Sequence, residues 1–186
     1  INLAGEFLRR GHPVDLVVRA EGKLISQAPE GARIVNLDAP RTLAAIPALA
    51  RYLRENRPDA LLSAQTHNNC AAVAARWLAK CACRLTLSEH NDMQMVLKSA
   101  SIKEKMRPLM ARFFYRYADG VVAVSRGTAE ALSAAAGLPI GKIRPIYNPV
   151  VTPELLRLAK EKPDHPWLEK KKNPVIISVG RLEPQK

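Results

Sequence analysis

The chain has 186 residues, 47% of them hydrophobic, which leaves room for one domain or one and a fraction and is too apolar for a disordered tail. Lysine and arginine number 29 against 17 aspartate and glutamate, and the formal charge of +12 calls for a polyanionic partner: nucleic acid, acidic lipid or a phosphorylated substrate. The three cysteines, Cys70, Cys81 and Cys83, lack CxxC spacing and a neighbouring histidine pattern, and no apolar run approaches the ~20 residues of a membrane-spanning helix, so zinc, disulfides and a spanning segment all fit poorly.

In chain order, Ile1 to Arg10 puts Leu3, Phe7 and Leu8 on one helical face, with Gly11 after it as a C-cap. A helix already under way at Ile1 neither shows nor excludes a signal peptide. Asp15 to Ala20 and Ala32 to Leu37 read as short strands separated by a polar stretch. Thr42 to Asn56 has helical spacing at Leu43, Ile46, Leu49, Ala50 and Leu53; Pro47 should bend this helix or delay its start, and Pro58 closes it. Ala60 to Gln65 is a strand, and Asn68 to Lys80 an alanine-rich helix with Asn68 or Asn69 as its cap. Arg84 to Ser88 is another strand. Glu89-His90-Asn91-Asp92 then lies at its carboxyl end, on the side of the sheet that holds Thr66-His67-Asn68-Asn69. Open α/β sheets bind ligands on that rim.

Met93 to Ser101 has no clear period and reads as a loop. Ile102, Met106, Leu109, Met110, Phe113 and Tyr117 then recur at helical spacing among five basic residues. Such a basic amphipathic helix either covers a core with its apolar stripe or makes peripheral contact with an anionic membrane. Gly120 to Ser125 is a strand, Thr128 to Ala136 a helix stopped by Gly137, and Ile143 to Asn148 a further strand. This alternation implies a parallel sheet covered on both faces, an α/β architecture. Five prolines between Pro149 and Pro174 mark an interdomain connection. After it, Val175 to Val179 reads as a buried parallel strand that ends at Gly180, so Arg181 and Lys186 would enter a loop where both could meet one pyrophosphate. The plainer reading of these two is solvated cations.

The phrase Leu8 to Val18, the segment Ala118 to Val150 (strand ending Val-Ser, helix, Gly, Lys-Ile, Asn-Pro-Val) and the tail Gly180-Arg181-Leu182 with Lys186 together resemble glycosyltransferase family 4, the retaining GT-B enzymes. The resemblance implies a Rossmann-like amino-terminal, acceptor-side domain over residues 1–150, a connection over 151–173, and the start of a nucleotide-sugar-binding domain over 174–186. In the family a strand and a Gly-rich loop precede the first helix. That strand would lie between Asp15 to Ala20 and Ala60 to Gln65, so the chain is expected to be a fragment that alone is aggregation-prone and inactive.

By the same resemblance, Gly180, Arg181 and Lys186 bind the donor diphosphate, and His90 faces the donor sugar as a catalytic residue. The plainer alternative for His90 is a strand-end histidine satisfied by backbone. His67 and Asn68 are acceptor-side candidates, while His12 and His165 read as surface residues. The implied activity is hexosyl transfer with retention, from a nucleotide-diphosphate-sugar to a glycan or lipid-linked acceptor of the cell-envelope polysaccharide kind. It would take place in the cytoplasm or on the inner face of the membrane. No metal is expected, since the sequence has no Asp-x-Asp motif. Ser125-Arg126-Gly127 is not a GxSxG elbow, so no triad is implied. Two alternatives stand beside this reading: a GT-B nucleotide-sugar epimerase, and a basic nucleic-acid-binding domain. The second has only the charge in its favour, because no helix-turn-helix, RNP or zinc-finger pattern is present.

Overall fold

The computed structural model describes residues 1–19, 25–91, 93, 105–169 and 174–179. The chain divides into two compact units, Ile1–Asn148 and Pro149–Lys186.

In the first unit, helix α1 (Asn2–Arg9) leads through Gly11, at φ 81°, into strand β1 (Asp15–Val18). β1 pairs in parallel with β2 (Arg33–Asn36) from Asp15↔Arg33 to Val18↔Asn36. Helix α2 (Ala45–Asn56) begins three residues later than its apolar spacing suggests. Pro47 explains the delay, since a proline is tolerated only where its missing N–H has no helical acceptor, in the first turn. Arg57, at φ 43°, ends the helix before Pro58.

Strand β3 (Ala60–Ala64), helix α3 (Thr66–Ala79), strand β4 (Arg84–Glu89), helix α4 (Arg107–Phe114), strand β5 (Gly120–Ala123), helix α5 (Arg126–Ala136) and strand β6 (Ile143–Pro145) follow. The four strands form one parallel sheet in the order β3-β4-β5-β6, with Leu61↔Leu85, Leu87↔Val121 and Val121↔Ile143 in register. This is the expected Rossmann-like α/β architecture. Local chemistry sets the ends of α5: Ser125 Oγ accepts the Thr128 N–H at 3.0 Å, and Gly137 turns off the helix at φ 63°. Ser125 is therefore a helix cap.

Leu85 and Leu87 of β4, Val121 and Ala123 of β5 and Ile143 of β6 bury one sheet face against Val73, Ala111, Ala129 and Leu132 of α3, α4 and α5. The opposite face differs from expectation. Leu62 is exposed, and Thr86, Ser88 and Val122 are only half-buried, so among the described residues the sheet is fully covered on one face.

A second cluster joins Ala50 and Leu53 of α2 to Ala75 and Ala79 of α3, with Val17, Val35 and Leu61 packed against it. Helix α2 thus covers both sheets. Among the described strands β1 pairs only with β2, and β3 only with β4, so the sheet is divided between the two strands where the sequence suggested a break. Each facing edge carries backbone groups with no strand partner.

In the second unit, α6 (Pro153–Leu158) is capped by Thr152 Oγ1, which accepts the Leu155 N–H at 3.1 Å, and α7 (Pro166–Glu169) follows. Val175 to Val179 is not the expected strand. It pairs with no described strand, and Ile176 and Val179 are 96% and 94% exposed. A β-branched run has strand propensity, but the ladder that makes it a strand comes from a neighbour.

Candidate functional site

The carboxyl ends of β3 and β4 meet at a buried carboxylate that the sequence reading did not single out. Glu89, the last residue of β4, is fully buried. Thr66 Oγ1 donates to its Oε2 at 2.9 Å, and the Tyr115 hydroxyl donates to the same oxygen at 2.7 Å. The backbone N–H groups of His90 and Asn91 each donate to Oε1 at 3.1 Å. Four donors from three segments satisfy a side chain that would be very costly to bury unpaired. Asn69 extends the network, donating from Nδ2 to the Ser88 carbonyl at 3.0 Å and to the Tyr115 hydroxyl at 2.8 Å. Burial, with Glu89 beside it, drives the Tyr115 hydroxyl far above its usual range, so it remains a donor. Burial, again helped by Glu89, pushes the nearby Cys70 thiol up to about 12. It is an inert packing group.

The backbone is tensioned at the same point. Gln65, between β3 and α3, sits at φ 75° and ψ 138°, a region that favours glycine, while its N–H donates to the Ser88 carbonyl at 3.1 Å. This turn brings α3 in two residues earlier than expected, starting at Thr66, and no side chain caps it. Neither asparagine is the cap. Asn68 is exposed, donates from Nδ2 to the Ala64 carbonyl at 3.2 Å and accepts from Thr42 Oγ1 at 3.4 Å; Asn69 turns into the core.

His90 leaves the rim into solvent, with Nε2 3.1 Å from Ser88 Oγ and its own N–H fixed by Glu89. His67, in the first turn of α3, is also exposed. Partial burial lowers its pKa, the charges of Arg107 and Arg19 add to the effect, and Glu89 opposes it. The shift favours the neutral ring, and the fold is penalised as pH falls below the unfolded value, where the ring would otherwise take up its proton. Arg19, at the end of β1, donates to the Ala39 carbonyl at 3.2 Å and to that of Pro40, tying the β2 exit to the same end of the fold. The His67 imidazole, with the charges of Arg107 and Arg19 acting on it, can hydrogen-bond a hydroxyl. Gly180, Arg181 and Lys186, expected on the donor diphosphate, lie outside the described residues, as do Asp92 and the start of the basic helix.

A conspicuous signal for Glu89 was present in the sequence: one carboxylate at the end of the otherwise uncharged run Leu85-Thr86-Leu87-Ser88. Its partner Tyr115, 26 residues on, has no local signature.

A solved structure described as "lipopolysaccharide outer core galactosyltransferase WaaB apo form" is similar over 65% of this chain and 32% of that chain, at 19% identity and a TM-score of 0.48. The chain thus spans about a third of the length of that protein. No curated protein matches the chain. The family model described as Glycosyltransferase Family 4 matches residues 1–153, which take in the whole first unit with both sheets and the rim around Glu89, and on that match the chain belongs to Glycosyltransferase Family 4.

Proposed function

We propose that this chain is part of a glycosyltransferase that moves a hexosyl group, with retention, from a nucleotide-diphosphate-sugar to a hydroxyl of a glycan or lipid-linked acceptor of the cell envelope. The observation that carries the reading is the Glu89 network, which holds the His90 backbone at the end of a parallel strand in a chain of this family. In the reaction the bond from the anomeric carbon to the diphosphate breaks and its electron pair leaves with the nucleoside diphosphate. The bond to the acceptor oxygen forms, and the acceptor proton passes to the leaving group or solvent.

In this reading each residue has a separate task. His90 faces the donor sugar. Arg181 and Lys186, with Gly180, meet the diphosphate as its charge grows, a role that needs donors fixed in advance. His67 and Asn68 bind on the acceptor side. Glu89 touches no substrate and is a positioning residue. Three free cysteines among the described residues accord with a cytoplasmic location.

The test is release of nucleoside diphosphate from a panel of nucleotide-sugars by the full-length enzyme that contains this chain, with NMR of the product anomer. Retention is expected. His90→Ala should lower kcat/KM by about a hundredfold while leaving Tm nearly unchanged, because the exposed ring fills no cavity. Inversion would remove the retaining assignment. Epimerised donor without transfer would favour an epimerase, and a Tm collapse with normal residual activity would make His90 structural.

A further inference from the structure

Among the described residues the His90 ring has one hydrogen-bond partner: Ser88 Oγ lies 3.1 Å from His90 Nε2. The spacing explains the contact. In an extended segment residues i and i+2 point to the same side, so burying Leu85, Leu87 and Glu89 on one side leaves Ser88 and His90 together on the other. That is the sparsely covered face of the sheet. Ser88 stands in register between Ala64 of β3 and Val122 of β5, and neither of those side chains can accept a proton.

A half-buried hydroxyl with one polar neighbour satisfies its proton by donating to that neighbour. Donation makes Nε2 the acceptor, and a neutral imidazole whose Nε2 accepts carries its own proton on Nδ1. The remaining groups of both residues are fixed independently. The Ser88 carbonyl accepts from the Gln65 N–H at 3.1 Å and from Asn69 Nδ2 at 3.0 Å, while the His90 N–H donates to Glu89 Oε1 at 3.1 Å. With the backbone pinned on both sides, the hydroxyl is left to set the orientation and tautomer of the ring. We infer that Ser88 is a positioning residue for His90, its hydroxyl occupying Nε2 so that Nδ1–H is the hydrogen-bond donor presented to a hydroxyl of the donor sugar. The inference rests on the reading that His90 faces that sugar. Ser88 itself touches no substrate.

The test uses the full-length enzyme that contains this chain, with its histidine rings labelled for nitrogen NMR, at a pH where those rings are neutral. His90 is identified by the signals that His90→Gln removes. Its Nδ1 is expected to be the protonated nitrogen, against the preference of a free ring in water for the Nε2–H form. Ser88→Ala should return the ring to the Nε2–H form with Tm nearly unchanged, because the variant keeps the backbone hydrogen bonds of the strand end. It should also lower kcat by about three- to tenfold at an unchanged KM for the donor, the loss expected when one modest hydrogen bond no longer orients the ring. Ser88→Thr restores a hydroxyl and should recover the tautomer and most of the rate. An Nε2–H ring in the unsubstituted enzyme, an Nδ1–H ring that survives Ser88→Ala, or equal rate losses in the alanine and threonine variants would overturn the proposal. The donor reading fails separately: an Nδ1–H ring that depends on Ser88, in an enzyme whose His90→Gln variant transfers at full rate, would remove His90, and Ser88 with it, from the reaction.

Discussion

Glu89→Ala is expected to cost about 3–5 kcal/mol of unfolding free energy, as two buried hydroxyl donors lose their acceptor at about 1–3 kcal/mol each and the removed side chain leaves a cavity. Thr66 and Tyr115 both donate to Glu89 Oε2, and both residues are buried, so water cannot readily replace the carboxylate. The N–H groups of His90 and Asn91 are nearer solvent and should add less. Glu89→Gln keeps the volume and one acceptor oxygen, so its loss should be smaller, about 1.5–3 kcal/mol. Tyr115→Phe alone should cost about 1 kcal/mol, and a double-mutant cycle with Glu89→Gln should show the two to be coupled. Urea unfolding of the wild type and the four variants decides this. A loss below about 1 kcal/mol for Glu89→Ala would mean that the network does not hold the rim.

The largest effect on activity is expected at Arg181 and Lys186. Arg181→Ala and Lys186→Ala should each lower kcat/KM by about 10²–10³-fold, because a cation that meets the leaving diphosphate gains most of its value in the transition state. Removing both should cost more than either alone, yet less than the product if the two share one pyrophosphate. Steady-state kinetics of the full-length enzyme with its preferred donor is the measurement. Unchanged kcat/KM in both single variants would return these residues to the surface, where solvated cations belong.

Local signals carried much of the first unit. Pro47 delays α2, Pro58 follows its end, Gly137 ends α5, which begins at Arg126 where Thr128 was expected, and the strands that begin at Asp15, Ala60, Arg84 and Gly120 start where the sequence reading places them. Each of these depends on residues within a few positions of one another.

What the sequence did not disclose depends on distant partners. Helix α4 has apolar residues on more than one side, so its period shows that it is helical without showing which stripe the sheet takes; packing on Val121, Leu132 and their neighbours chose Pro108 and Ala111. Val175 to Val179 has strand composition and no paired neighbour among the described residues. At the rim, the two polar clusters were legible as clusters. The inward turn of Asn69 and the hydroxyl that Tyr115 brings to Glu89 were not, since both arise from a contact between α3, β4 and the turn after α4.

The proposal to be tested is that the donor sugar faces His90 on the rim around Glu89. Histidine-labelled NMR of the full-length enzyme tests it most directly, because the four histidines of this chain, His12, His67, His90 and His165, are spread over it and each can be assigned by substitution. On titration of the protein with its nucleotide-diphosphate-sugar, the ring signals of His90 should move most and those of His67 less, with His12 and His165 unmoved. Movement confined to His12 or His165, or saturation of donor binding with His90 unchanged, would contradict it.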